Sequence, residues 1–280
     1  MITHQDAAEA TAGRSPPAAT EFHALSDIGD VRRHNEDSFL IDAALGLAAV
    51  ADGMGGHLSG EIASAGALAA LQACLSGALS PRDATQDGPG PDPDATTVNQ
   101  RWRHTAVVMQ AVERANATLY AANQARGHAD GAGMGSTLTG FLLLPETLSL
   151  VAFHVGDSRL YRYRDHTLEL LTRDQTAYQL ALESGAPGAL PPPNLLLQAV
   201  GPAPAVTPDL ALFDCRDGDL LLLCSDGLHG WVPHAELAET LAQRDVPLAR
   251  ACESLIALAK RHGSRDNITA LLARIPPARL

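Results

Sequence analysis

The segment Val50-Ala51-Asp52-Gly53-Met54-Gly55-Gly56 carries an apolar run into an acid set among glycines. A carboxylate at a strand's end, beside backbone that glycine leaves unshielded, can gather side-chain and carbonyl oxygens around one hard cation. Taken alone, Asp52-Gly53 is equally a turn dipeptide. Similar acids recur beside apolar runs: Glu36-Asp37 in Arg32-Arg33-His34-Asn35-Glu36-Asp37, Asp157 in Val155-Gly156-Asp157-Ser158, Asp226 in Cys224-Ser225-Asp226-Gly227, and Asp266 in Arg265-Asp266-Asn267-Ile268. Each is also readable as a solvated loop acid or a helix cap; it is their recurrence in similar surroundings that argues for one shared site. Oxygen-only donors of this kind favour Mg²⁺ or Mn²⁺ over zinc.

Acids spread from residue 36 to residue 266 can meet only if the chain between them folds as one unit. With 280 residues, 46% of them hydrophobic, one large core is available, and a single domain over 21–275 is expected. Residues 1–20, rich in Ala, Thr and Pro, read as a flexible tail, and 276–280 as a short C-terminal one. Strands are expected at 22–27, 38–42 and 45–52, followed by an Ala-rich helix from Gly60. The acidic Pro/Gly stretch 80–98 reads as an exposed loop leading to a second, antiparallel helix over 105–124.

Strands at 137–144, 147–155, 160–163 and 168–171, joined by short turns, suggest an antiparallel meander. A short helix at 176–184 and an irregular, proline-bearing stretch 185–208 follow. A buried strand at 220–224, helices at 233–242 and 247–261 with proline in the first turn, and a last strand at 268–274 complete the chain. The order of elements implies an α+β fold with two sheets face to face and helices outside.

A net charge of -12 sets the average surface against a nucleic-acid backbone. Cys74, Cys215, Cys224 and Cys252 stand far apart in apolar surroundings, as reduced core thiols do. No apolar run is read as long enough to cross a bilayer, and the first residues lack a signal peptide's basic start and apolar core. These features lead to the expectation of a cytoplasmic protein without membrane or nucleic-acid partners.

With these motifs in order from about Phe22 to Arg274, the chain resembles the metal-dependent PPM/PP2C family of serine/threonine protein phosphatases in its bacterial form. The resemblance implies an α/β/β/α sandwich with metals at one end of two mostly antiparallel sheets. It implies that Asp52 bridges two Mg²⁺ or Mn²⁺ ions about 4 Å apart, with Asp226 and Asp266 on the first and Glu36 and the Gly53 carbonyl on the second. Asp157, with Asp226, would take a third and weaker ion. Asp37 would hold water from behind, and Asn267 would position Asp266. Arg32 would grip the substrate phosphate through paired hydrogen bonds. Gly133, Gly135, Ser136 and Thr137 match the family's glycine turn, with structural work expected of them.

The activity implied is hydrolysis of phosphoserine and phosphothreonine by a water or hydroxide shared between two ions, in a monomer opposing a serine/threonine kinase. A catalytically idle module that reads phosphorylated partners is the alternative, and loss of a metal acid would mark it. The chain departs from the family pattern at three places. Met54 stands where animal relatives have a histidine proposed as general acid, leaving that role open, with His57 as a candidate. Gln175 and Gln198 replace residues common beside the flap, here 177–208.

Overall fold

The computed structural model describes residues 20–55, 59–79, 93–144, 147–185 and 188–276. The expected tails at 1–19 and 277–280, the loop over 80–92 and His57 lie outside them. Period-2 alternation organises the strands, and the central ones are covered on both faces. In β3 (Leu47–Met54), Leu47, Ala49 and Ala51 face one apolar cluster, while Ala48 and Val50 face another. In β10 (Leu220–Cys224), Leu221 and Leu223 share that second cluster, whereas Leu220 and Leu222 belong to a third. The shared cluster is the middle layer between two sheets.

One sheet runs β1 (Glu21–Asp27), β11 (Ile268–Arg274), β10, β7 (Arg159–Arg164), β8 (Thr167–Leu170). The other runs β2 (Asp37–Asp42), β3, β5 (Leu138–Leu144), β6 (Ser149–Val155), β9 (Asp209–Asp214), with β4 (Gly135–Ser136) against β3. All pairings between these strands are antiparallel. Helices α1 (Ser59–Leu79) and α2 (Pro93–Ala125) cover the second sheet through Ala63, Leu71, Leu75, Val108 and Val112. Helices α5 (His234–Leu241) and α6 (Leu248–Arg261) cover the first through Leu237, Leu255 and Ile256. The expected α+β sandwich of two antiparallel sheets between helices is thus the observed architecture.

Several local expectations need correction. Residues 93–98 belong to α2 rather than to the loop: a proline at the first helical position lacks only an N–H that the first turn leaves unpaired anyway. Pro233 and Pro247 are N-caps, one residue ahead of their helices. The meander is broken between β6 and β7, which lie in different sheets, since Gly156-Asp157-Ser158 can span the roughly 10 Å between stacked sheets. Strand β9 was hidden because an edge strand with most residues exposed carries no clear alternation; pairing with β6 creates it. Among the described residues one helix, α1, is long and apolar enough to cross a membrane by length and composition. Ala63, Ala67, Leu68, Leu71 and Leu75 line it with core contacts instead.

A one-turn helix, α4 (Asp226–His229), follows β10, and α3 (Ala177–Ser184) follows β8. Helix α3 has a Thr176 side-chain cap on the Gln179 N–H and none of its residues is fully buried.

Candidate metal centre

Strand register brings the acids together. Asp37 opens β2 directly opposite Asp52 near the end of β3. In the other sheet Cys224 pairs with both Arg159 and Ala270, so Asp226 beyond β10, Asp157 ahead of β7 and Asp266 ahead of β11 emerge at one end. They face an open cleft of about 700 Å³ that Arg32, Glu36, Asp52, Asp157, Asp226 and Asp266 help to line.

The carboxyls of Asp52 and Asp226 lie close enough to perturb each other's titration. Burial first, then the nearby charges of Asp37, Asp226, Asp157 and Asp266, pushes Asp52 well above the usual carboxylate range. Burial and Asp266 raise Asp226 in the same direction. Asp37 rises to about 7, chiefly through burial, against the pull of two hydroxyl donors. Asp157 also reaches about 7, through burial and the charges of Asp226 and Asp174, with Arg159 opposing. Carboxyls crowded and dry enough to hold protons at neutral pH are short of positive charge.

A divalent cation suits that shortage, and three features fit one. Asp37 Oδ1 and Asp226 Oδ1 are buried without a hydrogen-bond partner. Every side-chain donor named is an oxygen. Third, a Cβ built on Gly60 would lie 2.7 Å from Glu36 Oε1 and 2.8 Å from the Gly53 carbonyl oxygen, so these two oxygens converge on one bare stretch of α1. Gly53 itself must be glycine, since its own Cβ would meet the Gly60 carbonyl oxygen at 2.0 Å. Among the described residues, no three acids already close into a ligand cluster. Asp226 is engaged with Asp52, and Asp266 Oδ2 accepts a 2.6 Å hydrogen bond from Arg32 Nη2.

Supporting residues come from elements far apart in the chain. Ser225 Oγ and Thr269 Oγ1 each donate to Asp37 Oδ2 at 2.7 Å. Thr137 Oγ1 accepts the Asp52 N–H at 2.8 Å and shares a 2.7 Å hydrogen bond with Ser158 Oγ, while Ser136 Oγ donates to the Asp52 carbonyl. The glycine turn at 133–137 therefore holds Asp52 through hydroxyls as well as giving backbone clearance. Asn267 does more than local work: its side-chain amide donates to the Ile28 and His34 carbonyls, and its Oδ1 accepts the Glu36 N–H. Its own N–H donates to Asp266 Oδ1. Ser225 and Thr269 were missed in sequence, although each sits within three residues of a candidate ligand; only the pairing of β10 with β11 turns both toward Asp37.

Residues 31–273 match the protein phosphatase 2C family. Serine/threonine protein phosphatase PstP of Mycobacterium tuberculosis is 36% identical over 259 residues, 91% of this chain. The chain spans about half the length of that relative, 45%. Serine/threonine phosphatase stp of Listeria monocytogenes is 31% identical over 88% of this chain and 92% of its own length. A crystal structure of the PstP catalytic domain in complex with two manganese ions superposes with a TM-score of 0.72 at 34% identity, covering 92% of this chain and 99% of that one.

Proposed function

The chain belongs to the protein phosphatase 2C family, and on that premise we propose that it is a metal-dependent phosphatase of phosphoserine and phosphothreonine in proteins. The observation that carries this reading is the meeting of Asp52 from one sheet with Asp226 and Asp266 from the other, with Arg32 at their rim. In this reading Asp52, Asp226, Asp266, Glu36 and the Gly53 carbonyl hold two Mg²⁺ or Mn²⁺ ions, and Asp157 with Asp226 takes a third. When bound, such ions supply a nucleophilic oxygen at neutral pH and neutralise the phosphoryl oxygens.

The chain's own residues then bind and orient. Arg32, half exposed at the mouth, offers a planar fork of N–H donors that matches two phosphoryl oxygens. It is already within reach of Asp266, so a phosphate gripped there lies against the acid cluster. Ser225 and Thr269 fix the Asp37 carboxyl behind the ligands, and Thr137 and Ser136 fix the Asp52 backbone. Met54 carries no transferable proton, so protonation of the leaving serine or threonine oxygen falls to another group or to water. The substrates are phosphorylated proteins, and the reaction reverses a serine/threonine kinase of the cytoplasm.

Purified protein incubated with Mn²⁺ and a phosphothreonine peptide is expected to release phosphate, and Asp226→Asn to lose that release. No release, or release unaffected by Asp226→Asn, rejects the reading.

A further inference from the structure

Gln175 and Gln198, the two glutamines that depart from the family pattern, are bonded to each other. Gln198 Nε2 donates to Gln175 Oε1 at 3.0 Å and to the Thr207 carbonyl at 2.6 Å, and Gln198 Oε1 accepts the Thr207 N–H at 3.0 Å. Gln175 is buried; its Oε1 also accepts the Gly156 N–H at 2.9 Å, and its Nε2 donates to Asp209 Oδ2 at 3.0 Å. Its backbone exchanges hydrogen bonds with Gly156 and Leu197. One amide pair thus joins the turn bearing Asp157, the start of β9 and the segment 194–199 along the cleft.

These bonds sit at the base of α3. With none of its residues fully buried, α3, together with residues 194–197, takes much of its position over the cleft from its attachment points. The others are the backbone bonds from Ala177 to Leu195, between Thr176 and Leu196 and between Val200 and Ser136, and the Arg173–Glu183 ion pair on α3 itself. Between them, the Gln198 side chain is the link that reaches across to both Gln175 and Thr207.

We propose that Gln175 and Gln198 form an amide clasp that positions this flap, so that the pair determines how the cleft admits a protein-borne phosphate as opposed to a small phosphoester. The clasp acts through the exposed leucines it holds over the cleft, Leu195 and Leu197, which a peptide reaches and a small phosphoester does not. Both are positioning residues. This inference rests on the phosphatase reading for its consequence, though the clasp itself is independent of it.

Two variants at the half-buried Gln198 test it. Gln198→Glu keeps the shape but removes both N–H donors and sets a negative charge against two carbonyl oxygens; Gln198→Met keeps the bulk without polarity. Hydrogen exchange in the metal-free protein reads the clasp without any activity. Exchange at the Leu197 amide is expected to speed up about tenfold in both variants, and at the Thr207 amide in Gln198→Met, which removes its acceptor, the factor set by loss of roughly one neutral hydrogen bond. In the Mn²⁺-loaded protein, the ratio of kcat/KM for a phosphothreonine peptide to that for p-nitrophenyl phosphate should fall about fivefold or more, through KM for the peptide. Unchanged exchange overturns the clasp, and an unchanged ratio overturns its role in selectivity. If the wild-type protein hydrolyses neither substrate, the phosphatase reading fails while the exchange result still decides the clasp.

Discussion

Asp52 is the residue in which the site's chemistry is concentrated. Half-buried in accessible surface but shut in among four other carboxyls, it has a pKa well above its unfolded value in the metal-free protein. Its contribution to stability is therefore full below the unfolded pKa, near 4, and is lost as the pH rises through the folded one. Asp52→Asn removes that loss. The metal-free variant should melt at a higher temperature than the wild type at pH 8, and the gap should close toward pH 5; an equal gap at both values would refute this assignment. Asp37 gives a second residue-scale prediction. Thr269→Val deletes one of its two hydroxyl donors at a fully buried position of similar volume, and urea unfolding should show a loss of about 1–3 kcal/mol. The same variant leaves Asp226 and Asp266 in place, so an ion-binding defect larger than about 100-fold would place Thr269 in a more direct role than the geometry gives it.

At the scale of elements, the first turn of α1 and the end of β3 work as one part. Glu36 Oε1 and the Gly53 carbonyl oxygen crowd the face of α1 where Gly60 has no side chain. Gly60→Ala should improve the helix by about 1 kcal/mol in intrinsic propensity. Its methyl would nevertheless push the Glu36 carboxylate aside, because the backbone oxygen of Gly53 cannot move as a side-chain end can. Mn²⁺ titration by calorimetry is expected to show one class of site weakened about 10–100-fold, with helical content unchanged by circular dichroism. Undiminished binding would remove Glu36 from the ligand set. The short element α4 has a comparable part, since its first residue is Asp226 and the residue before it, Ser225, bonds Asp37.

For the whole molecule, the acids that meet at the cleft belong to different sheets: Glu36, Asp37 and Asp52 flank β2 and β3, while Asp226 and Asp266 flank β10 and β11. Cations held among them would tie the two sheets together and relieve the crowding of like charge. Mn²⁺ at about 100 times its dissociation constant should stabilise the fold by about 3 kcal/mol, a rise in Tm on the order of 5–10 °C. Asp226→Asn should abolish most of that rise, and a shift of the same size in the variant would show that the ions bind elsewhere.

How much of this was legible beforehand follows from where each signal lies. The two-sided burial of β3, β10 and β11 left apolar runs with an acid at or just beyond one end, so sequence alone determined the main strands, the α+β class and the candidate ligands. Local pattern could not reveal β9, whose exposed residues acquire meaning from β6, nor the step between sheets at Asp157. Nor could it join Asn267 to His34, Thr269 to Asp37, or Gln175 to Gln198. Those bonds cross from 23 to more than 200 positions of chain. A hydrogen bond's donor and acceptor are fixed by residue type, but which pair of them meets is fixed by strand register, and register exists only once the sheets have formed.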